Sequence, residues 1–136
     1  MRMMAVDYGD VRTGVAFCDV REMLATAYDT VEERYAPKLA EKLAALAKAE
    51  KAEQFVVGLP RNMDGSYGYR CDACRRLGDL LSELTGLPVV YQDERLTTVL
   101  AYDLLFAGNV HGKKSKKQVD AVSASVILQS YLDSHR

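Results

Sequence analysis

Histidine and cysteine are scarce in this chain. Its 136 residues include only His111 and His135, and three cysteines, Cys18, Cys71 and Cys74. Two lone, distant histidines cannot complete a Cys/His metal site at ligand spacing. An odd cysteine count with no signal peptide argues against a disulfide framework. Cys71 and Cys74 do form a C-x-x-C pair. Cys74 falls in step with Leu77, Leu81 and Leu84, however, which is the apolar stripe of one helix. Structural thiols are expected there, with a zinc or redox pair as the alternative. Long hydrophobic runs are missing as well. No segment approaches a membrane span, and the opening MRMMAVDYGD reaches an acid before a signal-peptide core could form. A cytoplasmic protein with no membrane partner is the expectation. Nor is there an excess of one charge. At a net charge of −1 the chain is not a polycation, so any affinity for nucleic acid must come from local clusters of Lys and Arg.

What is present is an ordinary globular balance, 49% hydrophobic and 27% charged, without repeats or low-complexity linkers. The length suits a single domain spanning 1–136. Met3-Met4-Ala5-Val6 is a short apolar run that ends on Asp7 and breaks into a turn at Gly9, the pattern of a strand buried on both faces. Gly14–Val20 and Thr26–Val31 read as two further strands, and the short gaps between the three predict an antiparallel meander. Pro37 opens a helix with Leu39, Leu43, Leu46 and Ala47 on one face. Gln54–Leu59 is a second buried strand, so a crossover with parallel pairing is expected.

Pro60–Gly68 is a polar loop in which Asp64-Gly65 signals a turn. A long helix follows to about Leu84, stopped by Gly86 and Pro88. Pro88–Tyr91 is a fifth strand that runs into Gln92-Asp93-Glu94-Arg95. Thr97 or Thr98 can cap a next helix carrying Leu100, Ala101, Leu104 and Leu105, closed by Gly108. Asn109–Lys117 reads as a loop with Lys113, Lys114, Lys116 and Lys117 at its end. Ser115 and Gln118 fit a capping box for a final helix to about Asp133. The outline is an α/β domain with a mixed sheet.

Three acidic positions sit at edges of buried elements: Asp7, the pair Asp93-Glu94, and Asp120. Asp is disfavoured in a core unless paired, hydrogen-bonded or metal-bound. Asp7 and Asp93-Glu94 both end strands, where open α/β sheets bind ligands. Asp120 shares the inward helix face of Ala124, Ile127 and Leu128. Carboxylates gathered this way repel, and a divalent cation such as Mg²⁺ relieves the conflict. Two ions about 4 Å apart can activate water and stabilise the leaving oxygen of a phosphodiester. Arg12, Arg61, Arg95 and the four lysines accompany these acids in sequence and suit phosphate contacts. Each has a plainer reading: Asp7 as a turn cap, Asp93 as a partner of Arg95, the lysines as a solvated face.

Four motifs in order resemble those of the YqgF family, also called RuvX or Holliday junction resolvase-like, within the ribonuclease H-like fold. They are Asp7-x-Gly9-x-x-Arg12-x-Gly14-x-Ala16-x-x-Asp19; Gly58-Leu59-Pro60-x-x-Met63-Asp64-Gly65-Ser66; Asp93-Glu94-Arg95-Leu96-Thr97-Thr98; and Lys117-x-x-Asp120 with Ile127-Leu128-Gln129-x-Tyr131-Leu132. Ser123 stands where the family commonly has Ala. The resemblance implies a ribonuclease H-like fold with a five-stranded mixed sheet flanked by helices. It also implies a nuclease dependent on Mg²⁺ or Mn²⁺, with Asp7, Glu94 and Asp120 as catalytic acids and metal ligands. The implied substrate is pre-16S rRNA at its 5′ end or, by analogy, branched DNA at a Holliday junction. Related RuvC resolvases carry an acid where this chain has Gly58-Leu59-Pro60, so the second acid is expected from Asp93-Glu94. A non-catalytic nucleic-acid-binding module is the alternative. An actin-like ATPase needs two lobes, and there is length here for one. A monomer or weak homodimer is expected, and a branched-DNA resolvase would need a symmetric dimer to cut two strands in concert.

Overall fold

In the computed structural model, residues 1–59, 69–93 and 114–135 are described. The elements run β1 (Met3–Asp7), β2 (Arg12–Cys18), β3 (Ala25–Glu32), α1 (Ala36–Ala49), β4 (Gln54–Leu59), α2 (Tyr69–Thr85), β5 (Val89–Asp93) and α3 (Lys114–Ser134). The strands form one sheet in the order β3-β2-β1-β4-β5. β1, β2 and β3 pair antiparallel, as short connections allow. β4 joins β1 in parallel after the α1 crossover, and β5 joins β4 in parallel. The sheet is therefore mixed, with the meander on one side of β1 and the crossover strands on the other.

Alternation along the strands sorts side chains to two faces. Met4, Val6, Val15, Phe17, Phe55, Val57 and Leu59 pack with Leu39 and Leu43 of α1 and with Cys71, Cys74, Leu77 and Leu81 of α2. Met3, Ala5, Ala16, Cys18 and Val56 pack with Ala124, Ile127, Leu128 and Leu132 of α3. Each fully buried Leu or Ile on α3 contributes roughly 1.5–3 kcal/mol, so this one helix is held to the sheet mainly by apolar burial. Side-chain hydrogen bonds at the edge of this core complete the attachment. Gln54 donates to the Tyr131 hydroxyl at 3.3 Å. Gln129 accepts from the Ala25 amide at 2.9 Å and donates to the Met23 carbonyl at 3.3 Å, tying the β2–β3 turn to α3.

Several expected boundaries shift. β2 begins at Arg12 and ends at Cys18, two residues earlier than expected at each end, because Asp19 makes a turn. Its carboxylate accepts the Met23 and Leu24 amides, which also holds its carboxyl below the usual range. β5 extends through Gln92 and Asp93. Leu84 keeps step with the predicted stripe but is exposed, whereas Cys71 and Cys74 are both buried and joined in no disulfide. Lys114, Lys116 and Lys117 belong to the start of α3 and not to a loop. Lys and Gln are good helix formers, and no Gly or Pro interrupts the run after Lys113. The loop at 60–68, the helix predicted after Thr97 or Thr98, and Arg61, Glu94, Arg95 and Lys113 lie outside the described residues.

α2 ends as its sequence demands. Gly86 takes φ +71 and its amide returns to the Ser82 carbonyl at 2.7 Å, while Thr85 bonds the Leu81 carbonyl. A Cβ at Gly86 would meet nothing, so the cost of adding one is backbone strain alone. Gly86→Ala is expected to lower unfolding free energy by about 1 kcal/mol, seen as a lower urea midpoint at unchanged slope. An unchanged midpoint would show that the left-handed cap contributes nothing.

Candidate active site

β1 is apolar and buried through Val6 and becomes partly exposed at its last residue, Asp7. Met3 and Ala5 face α3, so alternation turns Asp7 to that face as well. Its cross-strand partner on β2 is Gly14. Paired residues of an antiparallel ladder share a face, so the missing side chain of Gly14 also lies toward α3. That absence is used. A Cβ on Gly14 would collide with the carbonyl of Asp120. The backbone of α3 thus rests on β2 at the one residue that lacks a side chain, and Asp120 is set over the partner of Asp7. Glycine inside a strand often marks such a close approach, a signal already legible in the sequence but not used there.

Arg12 lies two residues before Gly14 and faces α3 too. Its Nε donates to Oδ2 of Asp120 at 3.1 Å, with the two side chains 35% and 28% exposed. Burial raises the Asp120 carboxyl above its ordinary pKa, and the hydrogen bond and charge of Arg12 only partly offset this. A carboxyl whose folded pKa is raised keeps its proton more readily when folded. The resulting destabilisation is absent at acid pH below the unfolded value and fully present above the raised one. Asp120→Asn should therefore melt higher than the parent in metal-free buffer at pH 8, with the gap closing as pH falls into the carboxylate range. A lower melting temperature at pH 8 would mean that the Arg12 pair outweighs the burial penalty.

The other expected acid comes from the far side of β4. Val6 pairs with Val57, and Gly58 pairs with Gln92, so Asp7, Gly58 and Gln92 stand nearly level. β4 separates β1 from β5, an interval of about 10 Å at ordinary strand spacing. Gly58 shares the α3 face with Val56 and places no side chain in that interval. Asp93 pairs with Leu59, whose side chain joins the α1 and α2 core, so Asp93 belongs to the opposite face. The structure thus brings together Asp7, Asp120 and Arg12 among the sequence candidates and sets Asp93 apart from them. Among the described residues no three acidic, Cys or His side chains form a complete metal-binding group. Glu94, the expected third donor, is outside them.

Residues 1–134 match the model of a family described as RuvX, Holliday junction resolvase. The chain belongs to the RuvX family. This RuvX chain is 41% identical over 133 residues to a protein of Heliobacterium modesticaldum named "Putative pre-16S rRNA nuclease", covering 98% of this chain and 89% of that one. A protein of Limosilactobacillus fermentum with the same name is 41% identical over 138 residues, with 99% and 95% covered. Among solved structures, T. thermophilus RuvC in complex with Holliday junction substrate superposes with a TM-score of 0.64 at 12% identity, covering 99% of this RuvX chain and 95% of that chain. Fowlpox virus resolvase with Holliday junction DNA gives 0.63 at 11% identity, covering 99% of each. At such identities the likeness establishes the fold, and the fold is that of the ribonuclease H-like resolvases. The five-stranded mixed sheet expected from the resemblance is the one observed.

Proposed function

We propose that this RuvX chain is a divalent-metal-dependent nuclease, a single domain over residues 1–136 that processes the 5′ end of pre-16S rRNA in the cytoplasm. The observation that carries the reading is the seating of α3 on Gly14, which sets Asp120 over the strand partner of Asp7. Two acids on one face, one of them partly desolvated and resisting ionisation, suit a hard cation with oxygen ligands. The donor set fits Mg²⁺ or Mn²⁺ and offers nothing to a thiophilic metal, since the cysteines are buried elsewhere. Asp7 and Asp120 would hold the metal. Glu94 would hold it or orient the attacking water, and the assignment to Glu94 over Asp93 is supported by the opposite facing of Asp93. When bound, the metal supplies an activated water and charge stabilisation for the phosphodiester.

The chain's own groups position the substrate. Arg12 stands beside Asp120. Lys114, Lys116 and Lys117 begin α3, where the positive end of the helix dipole adds to their attraction for phosphate. Arg61, Arg95 and Lys113 complete the proposed backbone contacts. Gly58 leaves the face between β1 and β5 open for the scissile strand. The protein acts as a monomer or weak homodimer. The RuvC-type fold and the family's description support a second reading, resolution of branched DNA.

The deciding assay sets a labelled pre-16S rRNA precursor beside a four-way DNA junction, each with Mg²⁺, Mn²⁺ or EDTA. Metal-dependent cutting of the precursor alone supports rRNA processing, and cutting of the junction alone supports the resolvase. Binding of either without cutting under any metal would leave a nucleic-acid-binding module and end the nuclease reading.

A further inference from the structure

We propose that Arg12 is the resident counter-ion of Asp120 in the metal-free protein, displaced by the divalent cation and then engaging a phosphate of the nucleic acid. The proposal rests on Asp7 and Asp120 being metal ligands and deepens that reading. It starts from the geometry of the pair. Only Nε of Arg12 is recorded on Asp120, an end-on contact at 3.1 Å that uses one of the guanidinium's several donors. It is not the bidentate fork that locks an arginine permanently to a carboxylate. A half-exposed single contact of this kind is weak and easily exchanged.

What can move is limited to the guanidinium. The backbone of Arg12 is fixed in the β2–β3 ladder opposite Glu32, and the backbone of Asp120 is fixed against Gly14. The arginine stem is long and 35% exposed, so it can swing without disturbing either element. A guanidinium cannot lose its proton to make room for a second cation. Metal and Arg12 therefore compete for the same carboxylate. Before metal arrives, Arg12 limits the repulsion between Asp7 and Asp120. Once a phosphate draws Arg12 away, Asp120 is released to the cation. Nucleic acid and metal then favour each other's binding, and the coupling is reciprocal.

The test is Mn²⁺ affinity measured by calorimetry without nucleic acid, on the full chain and on Arg12→Gln, Arg12→Lys, Asp7→Asn and Asp120→Asn. Arg12→Gln is expected to bind Mn²⁺ about tenfold more tightly than the parent, while Arg12→Lys stays near the parent value. Cleavage by Arg12→Gln should fall despite the tighter metal. Melting of the metal-free variants establishes that each is folded, and if Arg12→Gln is not, Arg12→Met, which keeps a long uncharged stem, is compared in its place. Equal or weaker Mn²⁺ binding by the neutral variant overturns the exchange, because Arg12 would then serve only the phosphate or only the posture of Asp120. If Asp7→Asn and Asp120→Asn bind Mn²⁺ as the parent does, the metal site itself is wrongly placed.

Discussion

Asp7→Asn should lower metal-dependent cleavage roughly a thousandfold or more while leaving the fold and nucleic-acid binding in place. The size follows from what the carboxylate is asked to do. Charge stabilisation by a bound metal is worth several kcal/mol, and each 1.4 kcal/mol or so is a factor of ten in rate. Asparagine keeps the shape of the side chain and removes its charge, so the cation is lost with little disturbance to packing. Asp7 is the last residue of β1 and only partly buried, which limits any structural penalty. Removing an acid that faces Asp120 should if anything raise the melting temperature without metal. The measurement is single-turnover cleavage of precursor rRNA with Mg²⁺ or Mn²⁺, beside a filter-binding titration and a melt. A variant that cleaves at the parent rate would dismiss Asp7 as a metal ligand. A variant that neither binds nor folds would assign the residue to the turn after β1 instead.

The second large effect is expected at a residue with no chemistry of its own. Gly14→Ala places a methyl group into the Asp120 carbonyl, and the atom it meets is backbone that cannot rotate away. Either β2 or α3 must shift. Overpacking of this kind costs roughly 1–3 kcal/mol, or a fall of about 10 °C in melting temperature at the upper end for a chain of this size. Cleavage should fall far more than stability accounts for, about a hundredfold, because a displacement near 1 Å at a reacting centre is enough for such a loss. Gly86→Ala is the matched comparison. It costs similar stability at the far end of α2, away from Asp7 and Asp120, and should cleave normally once folded. If Gly14→Ala keeps parent activity, α3 does not need its close seat on β2, and the proposed meeting of Asp7 with Asp120 loses its support.

Local rules made much of the fold legible. The apolar run before Asp7, the Pro at the start of α1 and the Gly after α2 each impose a backbone state on their own residues, and each appears where expected. Where boundaries differ from local expectation, side-chain contacts set them. β2 stops at Cys18 because the Asp19 side chain gathers two amides from the following turn. Leu84 keeps helical step with Leu77 and Leu81 yet is exposed, in the last turn of α2. Helical spacing alone puts Cys74 in line with Leu77 and Leu81, and all three are buried in the same core.

The sequence by itself determined which elements exist, which faces are apolar and which acids stand at their edges. Those properties depend on residues within a few positions of one another, through alternation, capping and backbone preference. Only the tertiary structure decided that Arg12 meets Asp120, that Asp93 faces away, and that Gly14 carries the helix holding Asp120. These follow from the register of strands and the height of a helix above a sheet, which distant residues set jointly. Glycine 14 is the plainest instance: as a letter it permits many backbones, and only the helix packed on it shows why a side chain is excluded.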